Sequence, residues 1–269
     1  MSLVTITDME LFCQNAGNGG ECVVLLHGLF GASSNLKPIA RGLEDRYRCI
    51  LPDLRNHGRS PHSDQMDCSL MAGDLVELMD KQDIDSAHLL GHSMGGKVAM
   101  QFALTHGSRV RSLAVADIAP VSYPPHHTQV LAALDEISKT DSISRRDAQA
   151  KLVAALDEPA VAAFLMTNWT RYENGTYGWR FNLSALIDQY DEIAAAPWGE
   201  AFQGPTLFIK GELSDYIVSD YRDQTLALFP AARMKVMAGC GHWLHAEKPA
   251  IFTRLVRDFI SQATSCNPI

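Results

Sequence analysis

Nowhere in the 269 residues is there an apolar run of about 18, the length a bilayer-spanning helix needs. The opening MSLVTITDME has neither the basic stretch nor the apolar stretch of a secretory leader. A soluble, cytoplasmic protein is the expectation. Basic charge is also short: 23 Lys and Arg stand against 31 Asp and Glu, a formal net charge of −8. That balance argues against nucleic acid or an anionic membrane as partner, since both select basic patches. None of the six cysteines (13, 22, 49, 68, 240 and 266) belongs to a C-x-x-C pair, and Cys22 and Cys49 fall in apolar, strand-like runs. They read as reduced, mostly buried thiols. The chain also lacks H-E-x-x-H, a P-loop and G-x-G-x-x-G, so no metal or cofactor is expected. No Pro/Ser-rich or charged linker interrupts it. With 46% hydrophobic residues it has material for one large α/β domain carrying an inserted subdomain.

What is present centres on AHLLGHSMGGKVAMQFAL, residues 87–104. Ala87 to Leu90 reads as a short apolar strand, Gly91-His92-Ser93-Met94-Gly95 fits G-x-S-x-G, and a helix begins near Met94. The pentapeptide by itself often marks only a turn. Between a strand and a helix it describes a nucleophile elbow, in which a tight turn pushes the serine hydroxyl out beyond the sheet. The helix start adds free N–H groups and a positive dipole end where an oxyanion would form.

The elements on either side follow the same logic. Leu3 to Thr7 and Glu10 to Gln14 alternate as an opening antiparallel pair. Cys22 to Leu26 is continuously apolar, as in a strand buried on both faces. It runs into His27-Gly28-Leu29-Phe30-Gly31, an H-G-x-x-G loop that would supply a second oxyanion N–H from Leu29 beside that of Met94. His27 is expected to brace the loop. A helix over Leu36 to Arg46 and a strand over Arg48 to Leu51 lead to Asp53-Leu54-Arg55-Asn56-His57-Gly58-Arg59-Ser60. This polar turn is expected to pin the strand end, with Arg55 a candidate to face the site. Ser69 to Lys81 reads as a helix and Val110 to Asp117 as another buried strand. Strands alternating with helices predict a mostly parallel, eight-stranded, doubly wound sheet with ligands beyond the carboxyl ends of the strands.

From 121 to 198 the strand rhythm stops. Thr128 to Ser138, Ser144 to Leu156 and Pro159 to Thr167 read as helices, Asn174-Gly175 as a turn. The expected division is a core of residues 1–120 and 199–269 and a helical cap of residues 121–198. Phe30, Trp179 and Trp243 are candidates for substrate contacts, although an aromatic stripe such as Tyr177, Trp179 and Phe181 serves equally as core. Lys97, Arg171 and Arg180 either hold an anionic group of a substrate or are solvated. The sheet resumes at Thr206 to Lys210, followed by a helix over Asp220 to Leu228, a strand over Met234 to Met237, and a closing helix from Pro249 to Gln262.

Serine needs a base to act as a nucleophile at neutral pH. His242, on the glycine-flanked loop after the last strand, is the expected base; His245 is a weaker competitor, and His92 must point away from Ser93. Two aspartates compete for the acid that orients His242. The usual Gly-x-x-Asp after strand seven reads here Gly211-Glu212-Leu213-Ser214, with Asp215 one residue late, while Asp117 ends strand six. Asp117 is favoured and Asp215 is the alternative.

LLHGLFGASSNL, DLRNHGRSP, LLGHSMGGKVAM, ADIAPV, WRFN and AGCGHWLHAEKP resemble the YbfF-type esterases, a branch of the α/β-hydrolase superfamily, from about residue 20 to 262. The resemblance implies hydrolysis of short acyl esters and acyl-thioesters such as acyl-coenzyme A, with the strand-six aspartate, here Asp117, as acid. The expected partner is therefore a small ester or thioester, without membrane insertion. C–C bond hydrolysis, perhydrolysis and a non-catalytic receptor built on the same scaffold are the rival readings. A serine at 93 argues against dehalogenases and epoxide hydrolases, which need a carboxylate nucleophile.

Overall fold

The computed structural model describes residues 9–140, 143–173 and 175–266. In chain order these form β1 (Cys13–Ala16), β2 (Cys22–Leu26), the short helix α1 (Lys37–Arg41), β3 (Arg48–Pro52), α2 (Cys68–Lys81), β4 (Ala87–His92), α3 (Met94–Thr105) and β5 (Val110–Ala116). Next come α4 (Thr128–Ser138), α5 (Arg145–Leu156), α6 (Pro159–Leu165), the hairpin β6 (Trp169–Arg171) and β7 (Tyr177–Trp179), α7 (Leu183–Asp188) and α8 (Tyr190–Ala194). The chain closes with β8 (Thr206–Gly211), α9 (Arg222–Leu228), β9 (Ala232–Met237), α10 (Leu244–Glu247) and α11 (Pro249–Cys266).

Among the described residues the main sheet has seven strands in the order β1-β3-β2-β4-β5-β8-β9. β1 pairs antiparallel with β3, and the other pairs are parallel. The expected opening strand, Leu3 to Thr7, lies outside the described residues, as does Asn174 of the expected turn. The first described strand starts at Cys13 rather than Glu10. No helix among the described residues is long and apolar enough to cross a membrane. The five described thiols, of Cys13, Cys22, Cys49, Cys68 and Cys240, are free, and all but that of Cys13 are buried.

The continuous apolar strands are explained by two cores. Val24, Leu26, Leu89, Leu113 and Val115 face the cluster that includes α2, α3 and much of the insertion. Their neighbours Val23, Leu25, Leu90, Ala114 and Ala116 face the cluster under α1 and α11. Because side chains alternate across a strand, a strand covered on both faces has no polar position to spare. The helix expected over Leu36 to Arg46 is shorter: a 3-10 turn at Ser33–Leu36 precedes α1, which stops at Arg41. A Cβ at the following Gly42 would lie 2.4 Å from the Thr253 methyl of α11. The chain turns there against the closing helix.

Among the described residues, 121–198 contribute no strand to the main sheet, and their two ends are held by α3. Lys97 is 2% exposed, and its ammonium donates to the carbonyls of Val121 (2.7 Å), Ala194 (2.5 Å) and Ala195 (2.6 Å). One turn along, Gln101 donates to Trp198 O at 2.9 Å and accepts from Trp198 N at 3.0 Å. Burial pulls the Lys97 ammonium down to about 8, which leaves it mostly charged at neutral pH. Lys97 was expected to be solvated or to hold an anion. It does neither, because its three protons are taken by carbonyls at the entry and exit of the insertion. Lys97→Met retains the stem and removes up to three charge-assisted bonds, each worth about 1.5–3 kcal/mol before water replaces any of them. Urea unfolding is expected to show a loss of about 2–4 kcal/mol, with faster amide exchange near Val121 and Ala194; a loss below about 0.5 kcal/mol would mean that water replaces the ammonium.

Candidate active site

Ser93 stands between β4 and α3 at φ 53° and ψ −120°, a conformation that non-glycine residues adopt at a cost of about 1–3 kcal/mol. The neighbours hold it there. Its N–H donates to Ala116 O at 3.0 Å, and its carbonyl accepts from Lys97 N at 3.1 Å. Glycine is required beside it for close approach: a Cβ at Gly91 would sit 2.2 Å from Gly95 O, and one at Gly95 would sit 2.4 Å from Leu26 O.

His242 lies on the loop after β9, with Nε2 3.1 Å from Ser93 Oγ and Nδ1 2.8 Å from Asp117 Oδ2. Asp117 follows β5 at φ 53° and is fully buried. Its Oδ1 accepts the Gly211 N–H at 2.8 Å, and its Oδ2 also accepts the Ser214 hydroxyl. The structure therefore brings Ser93, His242 and Asp117 into one hydrogen-bonded chain. It leaves Asp215 exposed at the surface. Ser214, at the position where an acid was sought, supports Asp117 instead. With Nδ1 facing a carboxylate, the Nε2 lone pair of His242 faces the serine, an arrangement able to take a hydroxyl proton. The ring is backed by Tyr216, stacked at 4.1 Å between centroids. No feature of the sequence singled Tyr216 out.

The loop after β2 faces the same point. Among the described residues, neither the Leu29 nor the Met94 backbone N–H has a protein acceptor. Two histidines shape this loop. His27 Nδ1 donates to Gly28 O at 2.9 Å and Nε2 accepts from Leu54 N at 2.9 Å. His57 Nδ1 donates to Arg55 O at 2.9 Å and Nε2 accepts from Phe30 N at 3.2 Å. The expected pinning by Asp53 is also present, through Ser33 N at 2.6 Å and Arg59 N at 2.8 Å. Arg55 does not face the cavity: its guanidinium is engaged by both oxygens of Asp74, at 2.6 and 2.5 Å.

A cavity of about 290 Å³ opens over Ser93 and His242, roofed by Val130, Val161, Phe164 and Leu165 of the insertion. Phe30 and Trp243 line it, as expected. Trp179 does not. It is 5% exposed, donates to Leu134 O at 3.1 Å, and packs against Trp169 and Phe181 inside the insertion. Its paired neighbour β6 and helix α4 surround it, so it is a core residue of the insertion. Arg171 is exposed and bonds Gly175 O within its own hairpin, and Arg180 reaches Thr170 Oγ1 at 3.4 Å. The cavity lining includes Glu158 and neither lysine nor arginine.

Four buried rings crowd this end of the sheet: His27, His57, His92 and His245. His92 Nε2 donates to His242 O at 2.9 Å, so it points away from the serine as expected. Burial lowers the pKa of all four, with His57 at about 3 and His245 at about 4. Their folded values lie below the unfolded value of 6.5, so the unfolded chain takes up protons that the folded chain refuses. The contribution is complete above about pH 6.5 and is lost as pH falls, at up to about 1.4 kcal/mol per pH unit for each ring. Urea unfolding at pH 7, 6 and 5 is expected to show stability falling by several kcal/mol; a flat profile would mean these rings are charged in the native state.

Residues 21–249 match the model of the alpha/beta hydrolase fold family. Esterase YbfF of Escherichia coli is 41% identical over 249 residues, covering 92% of this chain and 96% of that protein. The sn-1-specific diacylglycerol lipase of Danio rerio is 38% identical over 247 residues, covering 88% and 78%. A solved structure titled "Marine microorganism esterase" superposes with a TM-score of 0.91 at 39% identity, covering 93% of this chain and 99% of that one.

Proposed function

The chain belongs to the alpha/beta hydrolase fold family and is an esterase/lipase-type hydrolase, and from the geometry of its site we propose that it cleaves carboxylic esters or thioesters by way of an acyl-enzyme on Ser93. The observation that carries this reading is the chain of hydrogen bonds from Ser93 Oγ through His242 to the buried Asp117. His242 takes the hydroxyl proton as Ser93 attacks the carbonyl. The charge that develops on the carbonyl oxygen is met by the free amides of Leu29 and Met94; one such donor is typically worth about 3 kcal/mol of barrier. His242, oriented by Asp117, then protonates the leaving group, and a water repeats the sequence on the acyl-enzyme. No step requires a metal or an organic cofactor.

The substrate is a small ester or thioester with a short to medium acyl chain. A coenzyme A thioester follows the same route, but its phosphates would lie outside a cavity lined by Glu158 without lysine or arginine. C–C bond hydrolysis and perhydrolysis use the same three residues and would appear as turnover of other substrates. Residues 121–198 act as the cap over a core of 1–120 and 199–269.

Hydrolysis of p-nitrophenyl esters tests this reading. Ser93→Ala is expected to abolish turnover, and Asp117→Asn to lower kcat by about 10³–10⁴-fold through loss of the histidine tautomer. Asp215→Asn is expected to stay within about twofold, because a solvated carboxylate away from the ring contributes little. A large loss at Asp215 with a small one at Asp117 would reassign the acid, and turnover that survives Ser93→Ala would remove the serine mechanism.

A further inference from the structure

His242 is bonded at its two nitrogens, to Asp117 at 2.8 Å and to Ser93 at 3.1 Å. A ring held only along that line can still pivot about it. Once Ser93 carries an acyl group its hydroxyl proton is gone, and the ring keeps a single hydrogen bond, to Asp117. Something else has to fix its plane while water attacks. Two rings pack closely on it: Tyr216, stacked at 4.1 Å between centroids and 24° from parallel, and His92, at 4.8 Å and tilted by 45°.

The position of Tyr216 is itself set from two sides. Its N–H donates at 3.3 Å to the Ser214 hydroxyl, which in turn donates to Asp117. Its carbonyl accepts the Tyr123 hydroxyl, which also accepts the Ala119 N–H at 2.9 Å. The segments that follow β5 and β8 thus press one aromatic face against the imidazole. The Tyr216 hydroxyl has no hydrogen-bond partner among the described residues, and burial pushes it up to about 12, so the phenol stays neutral. What the loop presents to His242 is the ring.

We infer that Tyr216 is a positioning residue for the reaction: its face holds the plane of the His242 ring and stabilises the imidazolium that forms when Ser93 attacks the ester and again when water attacks the acyl-enzyme. The inference rests on the serine-hydrolase reading above. An aromatic face carries negative potential and attracts a cation within about 6 Å of its centroid, which is worth about two- to thirtyfold in a rate or an equilibrium. In the free enzyme the attacking form of His242 is uncharged. The attraction is therefore strongest when the proton has moved, which is the condition for speeding the chemical step instead of tightening substrate binding. The other groups around His242 do not supply this. Asp117 touches Nδ1 from the end of β5, in the plane of the ring. Burial keeps His92 of β4, His127 of the insertion and His245 of α10 uncharged near neutral pH. Trp243 meets the imidazole edge-on at 6.0 Å, and His126 packs on Tyr216 at 5.8 Å.

Hydrolysis of p-nitrophenyl acetate by the full-length protein tests this, with Ser93→Ala as the blank. Tyr216→Leu keeps much of the bulk and loses the face. It is expected to lower kcat about tenfold with KM within about twofold, since acylation and deacylation both pass through the imidazolium. Tyr216→Phe keeps the face and is expected to restore kcat to within about twofold of the parent. The acidic limb of kcat/KM reports the ring losing its proton in the free enzyme. Across the pH range in which circular dichroism shows the protein folded, that limb is expected to move down by about 0.5–1 pH unit in Tyr216→Leu, because the charged ring has lost its support. Replacing Tyr216 by pentafluorophenylalanine keeps the shape and reverses the potential of the face. That protein is expected to lose at least as much kcat as Tyr216→Leu, which separates the effect of the face from any loosening of the loop. Full activity in the pentafluorophenylalanine protein, or a slowed Tyr216→Leu with an unmoved limb, would overturn the inference and leave the serine mechanism standing. Turnover that survives Ser93→Ala would remove the serine mechanism and this inference with it.

Discussion

A carboxylate with no exposed surface is the constraint around which this end of the molecule is arranged. Asp117 has to be supplied with donors, because a buried carboxylate without them costs several kcal/mol. The donors come from three separate parts of the chain: the Gly211 amide at the end of β8, the Ser214 hydroxyl in the loop beyond it, and the His242 ring after β9. Satisfying the aspartate therefore brings the tips of β5 and β8 and the histidine loop together. The same bonds that make its burial tolerable also place the imidazole 3.1 Å from the Ser93 hydroxyl.

This explains a departure visible in the sequence. With an acid already at 117, a second carboxylate at 214 would put two like charges on one histidine. A serine there donates instead, and Asp215 is turned out to solvent. The backbone at Asp117 adopts the left-handed conformation at φ 53°, which aspartate tolerates better than most residues. Ser93 and Phe30, at φ 53° and 59°, share this strained geometry. Each is held by bonds to a neighbouring element: Ser93 to Ala116 on β5, and Phe30 to His57 and, through its carbonyl, to Asn168 of the insertion. Local strain at the site is thus offset by tertiary hydrogen bonds.

The core was legible in the sequence because its signals are periodic and local. Strands such as Cys22–Leu26 and Val110–Ala116 announce themselves by continuous apolar runs, and the elbow by glycines whose replacement would collide with backbone oxygens. The placement of His242 followed from loop position alone. What depended on three-dimensional packing was not legible. Trp179 looks the same in sequence whether it lines a cavity or fills a cap, and only the pairing of β6 with β7 puts it beside Trp169. Lys97 and Arg55 read as available cations. Their partners, carbonyls 24 to 98 residues away for Lys97 and Asp74 19 residues away for Arg55, are matched by no local pattern. Tyr216, stacked on the His242 imidazole, carried no signal at all.

The attachment of residues 121–198 matters for how such a fold varies its chemistry. If this insertion rested on the sheet and its helices by apolar contact alone, its position over the serine would be loosely set, since dispersion and burial are non-directional. Here Lys97 and Gln101 project from the helix that begins directly after Ser93, and they grip both ends of the insertion by hydrogen bonds. Ser93 and the two ends of the insertion are consequently referenced to one element, α3. Side chains near those ends, Tyr123 at the entry and Ile193 at the exit, then border a second, smaller cavity of about 40 Å³ beside Ser93, whereas α6 roofs the larger cavity from a distant part of the insertion. Substitutions far from those ends can reshape the large cavity while the side chains beside the serine keep their registration with it.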